Sequence, residues 1–437
     1  MPGKLFGSSG IRGVFGTGIT SEMGVRIGLA VGAGRKRAVL GWDVRTTSPL
    51  LASSVASGLM SAGCDAGFAG MVPTPTLARA GVAYDAGIMI TASHNPPEFN
   101  GFKLWSPDGM AFDQSESDEI EKKILGGAGK MADWKSIGES HEIADAIPRH
   151  IESIAKGVGS VKARVVVDCG NGAASVVSPY LFRELGCDVL AINADPDGAF
   201  PGRGSEPLEE RLGVLRKAVV SSGARVGLAH DGDADRVVAV DEKGGFLDGD
   251  ALLPIIARRE ARKSIVVPVD ASMAIDEFME GVKVHRCRVG DVYVAEAIKK
   301  HRADFGGEPS GTFIFPRETY CPDGIYAAAR IAALAEEEKL SELAASIPRY
   351  PMMKDRIPYD PSKRSAVEGK VLKALEKLKP DEIQKLDGAR AVFEDGWILV
   401  RPSGTEPKVK IVVEARSAAS AKELFKSASA AVKGALK

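Results

Sequence analysis

Residues 38–62 read AVLGWDVRTTSPLLASSVASGLMSA. The first five, Ala38–Trp42, are a short apolar run and predict a strand. The next part, Ser48–Ala62, opens Ser-Pro, continues through alanine and leucine, and predicts a helix. A second apolar run, Gly87–Ile90, predicts the following strand. Strand, helix, strand is the unit of a mostly parallel α/β sheet. The unit recurs in Arg164–Val167, Ala173–Leu185 and Asp188–Ile192. Arg225–Leu228 and Val237–Val240 predict further strands. Ser264–Val269, Val282–His285 and Tyr293–Lys300 continue the pattern. Near the end, Trp397–Val400 and Val409–Val413 predict strands and Ala418–Leu436 a helix. Sheets of this kind place ligand loops beyond the carboxyl ends of their strands.

Three stretches punctuate the chain. Pro148 follows a polar, glycine-containing run from Gly126 to Ala146. Asp248-Gly249-Asp250 is a turn cluster before a new helix. Ser346–Arg364 carries Pro348, Pro351, Pro358 and Pro361 and reads as a linker. The expected domains are therefore 1–148, 149–248, 249–352 and 353–437, the last a short α+β segment. The α/β units repeat as a pattern and not as sequence identity.

Composition narrows the function. With 437 residues, 44% hydrophobic and 26% charged, the chain can build several cores. Its 49 glycines and 24 prolines are about one residue in six, against roughly one in eight in ordinary proteins. The excess belongs at turns and close backbone approaches. Fifty-seven basic against 58 acidic residues give a net charge of −1. No global field attracts nucleic acid, so any anion chemistry is local. The five cysteines, Cys64, Cys169, Cys187, Cys287 and Cys321, form no Cys-x-x-Cys. They argue against a disulfide framework or zinc site and for a reducing compartment. Met1–Gly7 has no apolar leader, and no run reaches the ~18 residues of a membrane span. A soluble, cytoplasmic protein is expected.

Five loops carry chemistry-bearing residues. Thr91-Ala92-Ser93-His94-Asn95-Pro96-Pro97 follows a strand, and its paired prolines stiffen the turn. It suits an exposed nucleophilic or phosphate-carrying hydroxyl at Ser93, or it is a plain turn capped by Ser93 or Asn95. Asp231-Gly232-Asp233-Ala234-Asp235-Arg236 puts carboxylates at i, i+2 and i+4, which in an extended segment share one side. Three carboxylates ~4 Å apart repel by about 4 kcal/mol per pair at an effective dielectric near 20. Inside a cleft that calls for a divalent cation, and hard oxygens with open positions suit Mg²⁺. A solvated acidic turn is the alternative. An EF-hand is disfavoured, because Arg236 stands where that loop needs glycine.

Gly306-Gly307-Glu308-Pro309-Ser310-Gly311-Thr312 offers Glu308 and Ser310 to sugar hydroxyls, or is an ordinary loop. Arg401-Pro402-Ser403-Gly404-Thr405 combines a guanidinium, two hydroxyls and a glycine N–H, which is a phosphate grip unless it is a hairpin turn with a surface arginine. Phe6–Gly13 is glycine-rich but lacks a Gly-Lys-Ser/Thr ending; its Arg12 can reach a phosphate. Lys103 is a proton carrier or a solvated surface lysine. Asp168–Ser175 partly matches a nicotinamide-binding turn, with Ser175 where glycine or alanine belongs.

In this order, across essentially the whole chain, the Ser93, Asp231, Glu308 and Arg401 loops resemble the α-D-phosphohexomutase family. The resemblance implies an α/β fold of four domains around a central cleft. Three are related α/β domains with mixed sheets, and a smaller C-terminal α+β domain closes on the substrate phosphate. It implies an isomerase interconverting hexose 6- and 1-phosphates through a sugar 1,6-bisphosphate. Ser93 would be the phosphoserine and, with Asp231, Asp233 and Asp235, would hold Mg²⁺. Arg12 and Arg236 would contact the reacting phosphoryl group. Lys103 would be the general acid or base, with His94 the second candidate. Glu308 and Ser310 would grip the sugar, as would Gly290 and Asp291 in the Val289-Gly290-Asp291 turn. Arg401, Ser403, Gly404 and Thr405 would hold the other phosphate.

Two departures bear on this assignment. Ser8-Ser9 replace the common Thr-Asp, a change in loop support. Thr312 stands where many glucose and mannose phosphate mutases have histidine, and the Gly306–Thr312 loop is most similar to archaeal-type phosphoglucosamine mutases. Glucosamine phosphate is therefore the expected substrate, ahead of glucose and mannose phosphates. A small phosphosugar is the expected partner, with no nucleic acid or membrane, for a monomer or homodimer. Competing classes are a non-catalytic metal- or nucleotide-binding protein and a serine-nucleophile phosphatase.

Overall fold

A computed structural model describes residues 5–7, 10–127, 129, 131–360, 364–402 and 408–436. The chain forms two compact units, Met1–Ile256 with Ser310–Ala345, and Ala257–Pro309 with Ser346–Lys437.

The first unit holds two mixed sheets. In one, strands run in the order Ile11–Val14, Phe99–Trp105, Ala86–Ile90, Arg37–Trp42, Asp65–Met71, Ser140–Glu142. In the other the order is Phe246–Leu247, Val237–Asp241, Val226–His230, Arg164–Asp168, Asp188–Ile192. Both follow one plan. The first strand, Arg37–Trp42 or Arg164–Asp168, lies between the second and third, parallel to both. A fourth then returns antiparallel beside the third. Val39, Leu40, Val165, Val166 and Val167 are fully buried, as central parallel strands require.

The second unit repeats the plan: Ser264–Pro268 lies between Lys283–Cys287 and Phe305–Glu308, all parallel. The Ser93 and Asp231 loops are both connections from third to fourth strand. Glu308 ends the third strand of the third repeat, and Ser310 lies between it and the strand Thr312–Ile314. The repeat that sequence identity does not reveal is thus topological.

Helix ends follow local chemistry. Helix Ser21–Gly32 is capped by Thr20, whose hydroxyl accepts from Met23 N at 3.2 Å. It packs on helix Ser48–Ser61 so closely that a Cβ on Gly28 would stand 2.8 Å from Leu59 N. Helix Gln114–Leu125 begins with a reciprocal capping box between Asp113 and Glu116. Asp113→Ala is expected to cost about 1 kcal/mol, read as roughly five-fold faster hydrogen exchange in that helix.

The C-terminal sheet is wholly antiparallel: Met352–Pro358, Lys408–Ala415, Gly396–Pro402, Ala389–Phe393, Glu382–Gln384. Val409, Ile411 and Val413 alternate into a core shared with Val371 and Leu375 of helix Arg364–Glu376 and Val432 of helix Ala418–Leu436.

Three expectations are corrected. Ala173–Leu185 is not one helix: a 3-10 turn, Ala173–Val176, precedes helix Ser178–Leu185. Pro179 lacks the N–H that a continuous helix would need. Ser346–Arg364 is not only a linker, because Met352–Pro358 is an edge strand of the last sheet. Pro351 precedes that strand and Pro358 closes it, positions that an edge strand tolerates. The Asp231–Asp235 segment is a turn with Ala234 at φ +59°, not an extended run. No helix among the described residues is long and apolar enough to cross a membrane.

Candidate active site

The buried strand Ala86–Ile90 delivers the Ser93 turn. Thr91 Oγ1 accepts from Ser93 N at 2.8 Å and donates to Asp43 Oδ2 at 2.7 Å. Ser93 is buried and left-handed, φ +51°, which costs a non-glycine residue about 1 kcal/mol. Its Oγ donates to Asp231 Oδ2 at 2.7 Å and lies 3.4 Å from His94 Nδ1. The serine is thus part of a buried side-chain cluster and not only a turn residue, and its hydroxyl is not exposed as the sequence suggested.

Asp231, Asp233 and Asp235 are buried, and an oxygen from each lies within 4.8 Å of the others. Convergence comes from the turn: Ala234 in the left-handed region re-aims Asp235. Asp233 Oδ2 accepts from Thr74 Oγ1 at 2.6 Å and Lys103 Nζ at 2.7 Å. Lys103 also donates to Asp235 Oδ2 at 2.6 Å. Asp233 Oδ1 and Asp235 Oδ1 are buried without a hydrogen-bond partner.

Burial pushes Asp231 well above the usual carboxylate range, and Asp235 and Asp233 push it further. Burial and then Asp233 raise Asp235. For Asp233, burial is outweighed by Lys103 and Thr74, and its carboxyl is held low. Lys103 is 3% exposed, so the surface reading is set aside. Burial works against its charge, but Asp233 and Asp235 keep the ammonium protonated. His94 is pushed down to about 3 by burial and by Arg236 and Arg12, so its ring is neutral. Three clustered carboxylates, two with an oxygen that accepts no hydrogen bond, against Lys103 and, 3.9 Å from Asp235 Oδ1, Arg236 Nε, are a donor set that fits a divalent cation.

Arg12 Nη1 donates to Asn95 Oδ1 at 3.4 Å, and its Nε is buried without a partner. Arg236 N donates to Asp231 Oδ1 at 3.2 Å. Ser310 Oγ and Thr312 Oγ1 are hydrogen-bonded at 2.8 Å. In the second unit, Gly290 N donates to Glu308 Oε1 at 2.8 Å, and Asp291 opens helix Asp291–His301. Arg401 Nη1 donates to Asp387 Oδ2 at 2.7 Å, the oxygen that also accepts from Val289 N. One unit therefore gathers Glu308, the Val289–Asp291 turn and Arg401. Ser8, Ser9, Ser403, Gly404 and Thr405 lie outside the described residues.

Sequence reasoning missed Arg45, Asp43, Thr74 and Asp387. The only signal was local, a charged Asp-x-Arg just beyond the strand Arg37–Trp42. The nicotinamide-like turn is used otherwise. A Cβ on Gly172 would sit 2.8 Å from Gly232 O, so this glycine makes room for the acidic loop's backbone. The five cysteines are buried and free.

The chain matches known proteins along nearly its whole length. Models of phosphoglucomutase/phosphomannomutase domains match in chain order: α/β/α domain I at residues 3–128, domain II at 144–245, domain III at 248–350 and the C-terminal domain at 362–431. A relative from Methanosarcina acetivorans named "Probable phosphoglucosamine mutase" is 49% identical over 99% of this chain and 100% of its own. The "Phosphoglucosamine mutase" of Methanocaldococcus jannaschii is 42% identical over 99% of each. The crystal structure of a phosphoglucomutase/phosphomannomutase family protein from Burkholderia thailandensis superposes with TM-score 0.87 at 28% identity, covering 99% of this chain and 97% of that one. Matched along its length, the chain belongs to the phosphoglucomutase/phosphomannomutase family.

Proposed function

We propose that the chain is a phosphate-transferring isomerase that interconverts glucosamine 6-phosphate and glucosamine 1-phosphate through a 1,6-bisphosphate, with Ser93 as the phosphoryl carrier. The observation that carries this reading is the 2.7 Å contact between Ser93 Oγ and Asp231 inside a buried carboxylate triad. The family and the near-full-length relatives supply the reaction class. The reading divides the chain into four domains, at 1–148, 149–248, 249–352 and 353–437.

Ser93 Oγ and the three aspartates would together hold Mg²⁺. Bound Mg²⁺ supplies the positive charge that phosphoryl transfer needs on its equatorial oxygens. Arg12 and Arg236 add charge at the same group. In the first half-reaction the bond from Ser93 Oγ to phosphorus breaks as a bond from the sugar hydroxyl to phosphorus forms. The hydroxyl's proton passes to a side chain: to Lys103 once that ammonium has given up its own proton, or, as second candidate, to the neutral ring of His94. In the second half the other phosphoryl group of the bisphosphate returns to Ser93 Oγ. Glu308, Ser310, Gly290 and Asp291 hold the sugar, and Arg401, Ser403, Gly404 and Thr405 hold the phosphate that is not reacting. Closure of the site over the sugar would exclude the water that would otherwise hydrolyse the phosphoserine.

Relative kcat/KM across glucosamine, N-acetylglucosamine, glucose and mannose phosphates tests the substrate, with free phosphate measured alongside. Glucosamine phosphate is expected to lead, with isomerised sugar far exceeding released phosphate. Preference for glucose or mannose phosphate would move the assignment within the family, and steady phosphate release would favour a phosphatase.

A further inference from the structure

The turn that carries Ser93 is held from beneath by one side chain. Arg45 is 1% exposed and uses all five of its N–H donors. Nε donates to Asp43 Oδ2 at 3.0 Å. Nη1 donates to Pro96 O at 2.5 Å and Phe99 O at 3.0 Å. Nη2 donates to Ser93 O at 2.8 Å and Asn95 O at 2.6 Å. Four carbonyls of one turn therefore converge on one planar fork, a geometry lysine lacks. Asp43 completes the frame through Thr91, which in turn accepts from Ser93 N.

A second device reaches this turn from the other sheet. The segment Asp197–Ser205 lies against it: the ring of Phe200 faces the Arg45 guanidinium at 5.1 Å. The single proton of Ser205 Oγ is shared between His94 O at 2.7 Å and Asn95 O at 2.9 Å. A Cβ on Gly198 would stand 2.6 Å from Val44 O, so only glycine passes there. The same segment grips the acidic loop's base, where Arg203 pairs with Asp168 at 3.0 Å and donates to the carbonyl of His230. One strap thus ties the serine turn to the strand end from which the aspartates emerge.

We propose that Arg45 and Ser205 are positioning residues for phosphoryl transfer. They lock the carbonyls of the 93–99 turn, hold Ser93 in its left-handed conformation, and keep its Oγ registered on Asp231 as the phosphoryl group leaves and returns. Neither side chain is directed at the reacting atoms. The inference rests on Ser93 being the carrier.

The test compares Ser205→Ala, Ser205→Thr and Arg45→Lys with the parent enzyme, each assayed with Mg²⁺ and glucosamine phosphate. The readouts are kcat, KM, and the ratio of free phosphate released to sugar isomerised. That ratio does not depend on how much protein is folded. Ser205→Ala is expected to lower kcat about ten-fold with KM within about two-fold, and to raise the ratio several-fold. Ser205→Thr, which keeps the hydroxyl, is expected to recover most of the loss. Arg45→Lys is expected to lower kcat about a hundred-fold or more. Ser205→Ala with kcat and ratio both within two-fold of the parent would overturn the inference, even if Arg45→Lys fails to fold. If the parent carries no phosphate on Ser93 while active, the carrier reading falls and takes this inference with it. If it does carry one and the variants are indifferent, only this inference falls.

Discussion

Ser93→Ala is expected to cut isomerisation by at least about 10,000-fold, on the order of 5.5 kcal/mol of barrier, with the fold intact. No neighbouring hydroxyl can take over. Thr91 Oγ1 is committed between Asp43 and Ser93 N, and Ser205 Oγ between two carbonyls. Thr74 Oγ1 is spent on Asp233. The deletion removes a single hydroxyl, hydrogen-bonded at 2.7 Å to Asp231. Alanine tolerates the φ of +51° about as well as serine does, since both carry a Cβ. Steady-state assay at matched circular dichroism checks it. Turnover within ten-fold of the parent would place the phosphoryl carrier elsewhere.

Removing divalent cations is the second large effect. Stripped enzyme is expected to lose turnover by about a hundred-fold or more and to regain it with Mg²⁺. Stability should move with it, in a direction the site dictates. Asp231, Asp233 and Asp235 are buried together, and Lys103 and Arg236 offset only part of their charge. A cation that binds the folded cluster and not the unfolded chain adds about 2.7 kcal/mol at a hundred-fold excess over Kd. The melting temperature should therefore rise with Mg²⁺ in the parent. Asp233→Asn keeps the shape but lowers the ligand charge, and should largely abolish that rise. Calorimetry with and without Mg²⁺ reads both; an equal rise in parent and variant would mean that the ion binds elsewhere.

The strand runs 38–42, 87–90 and 164–167 were legible because parallel strands buried on both faces leave apolar stretches that polar loops bound. The Asp231, Asp233 and Asp235 set was legible by spacing, though for an incomplete reason: a turn at Ala234, not an extended run, brings the oxygens together. Ser93 was visible as a hydroxyl in a stiff turn after a strand. Arg45 was not, because most of its partners are backbone carbonyls about fifty residues downstream, and carbonyls leave no mark on a sequence. Lys103 read more readily as a surface group, since nothing local announces that two aspartates 130 and 132 residues away will bury it. Pro351 and Pro358 misled for a related reason: proline marks an edge strand as readily as a linker.

The central claim is that Ser93 carries the phosphoryl group, and peptide-mapped mass spectrometry of the full chain tests it most directly. After incubation with a hexose 1,6-bisphosphate and Mg²⁺, a fraction heavier by one phosphate is expected, with the modification on Ser93. Adding glucosamine phosphate should then discharge it. An active enzyme with Ser93 unmodified throughout, or with the phosphate on another residue, would contradict the account.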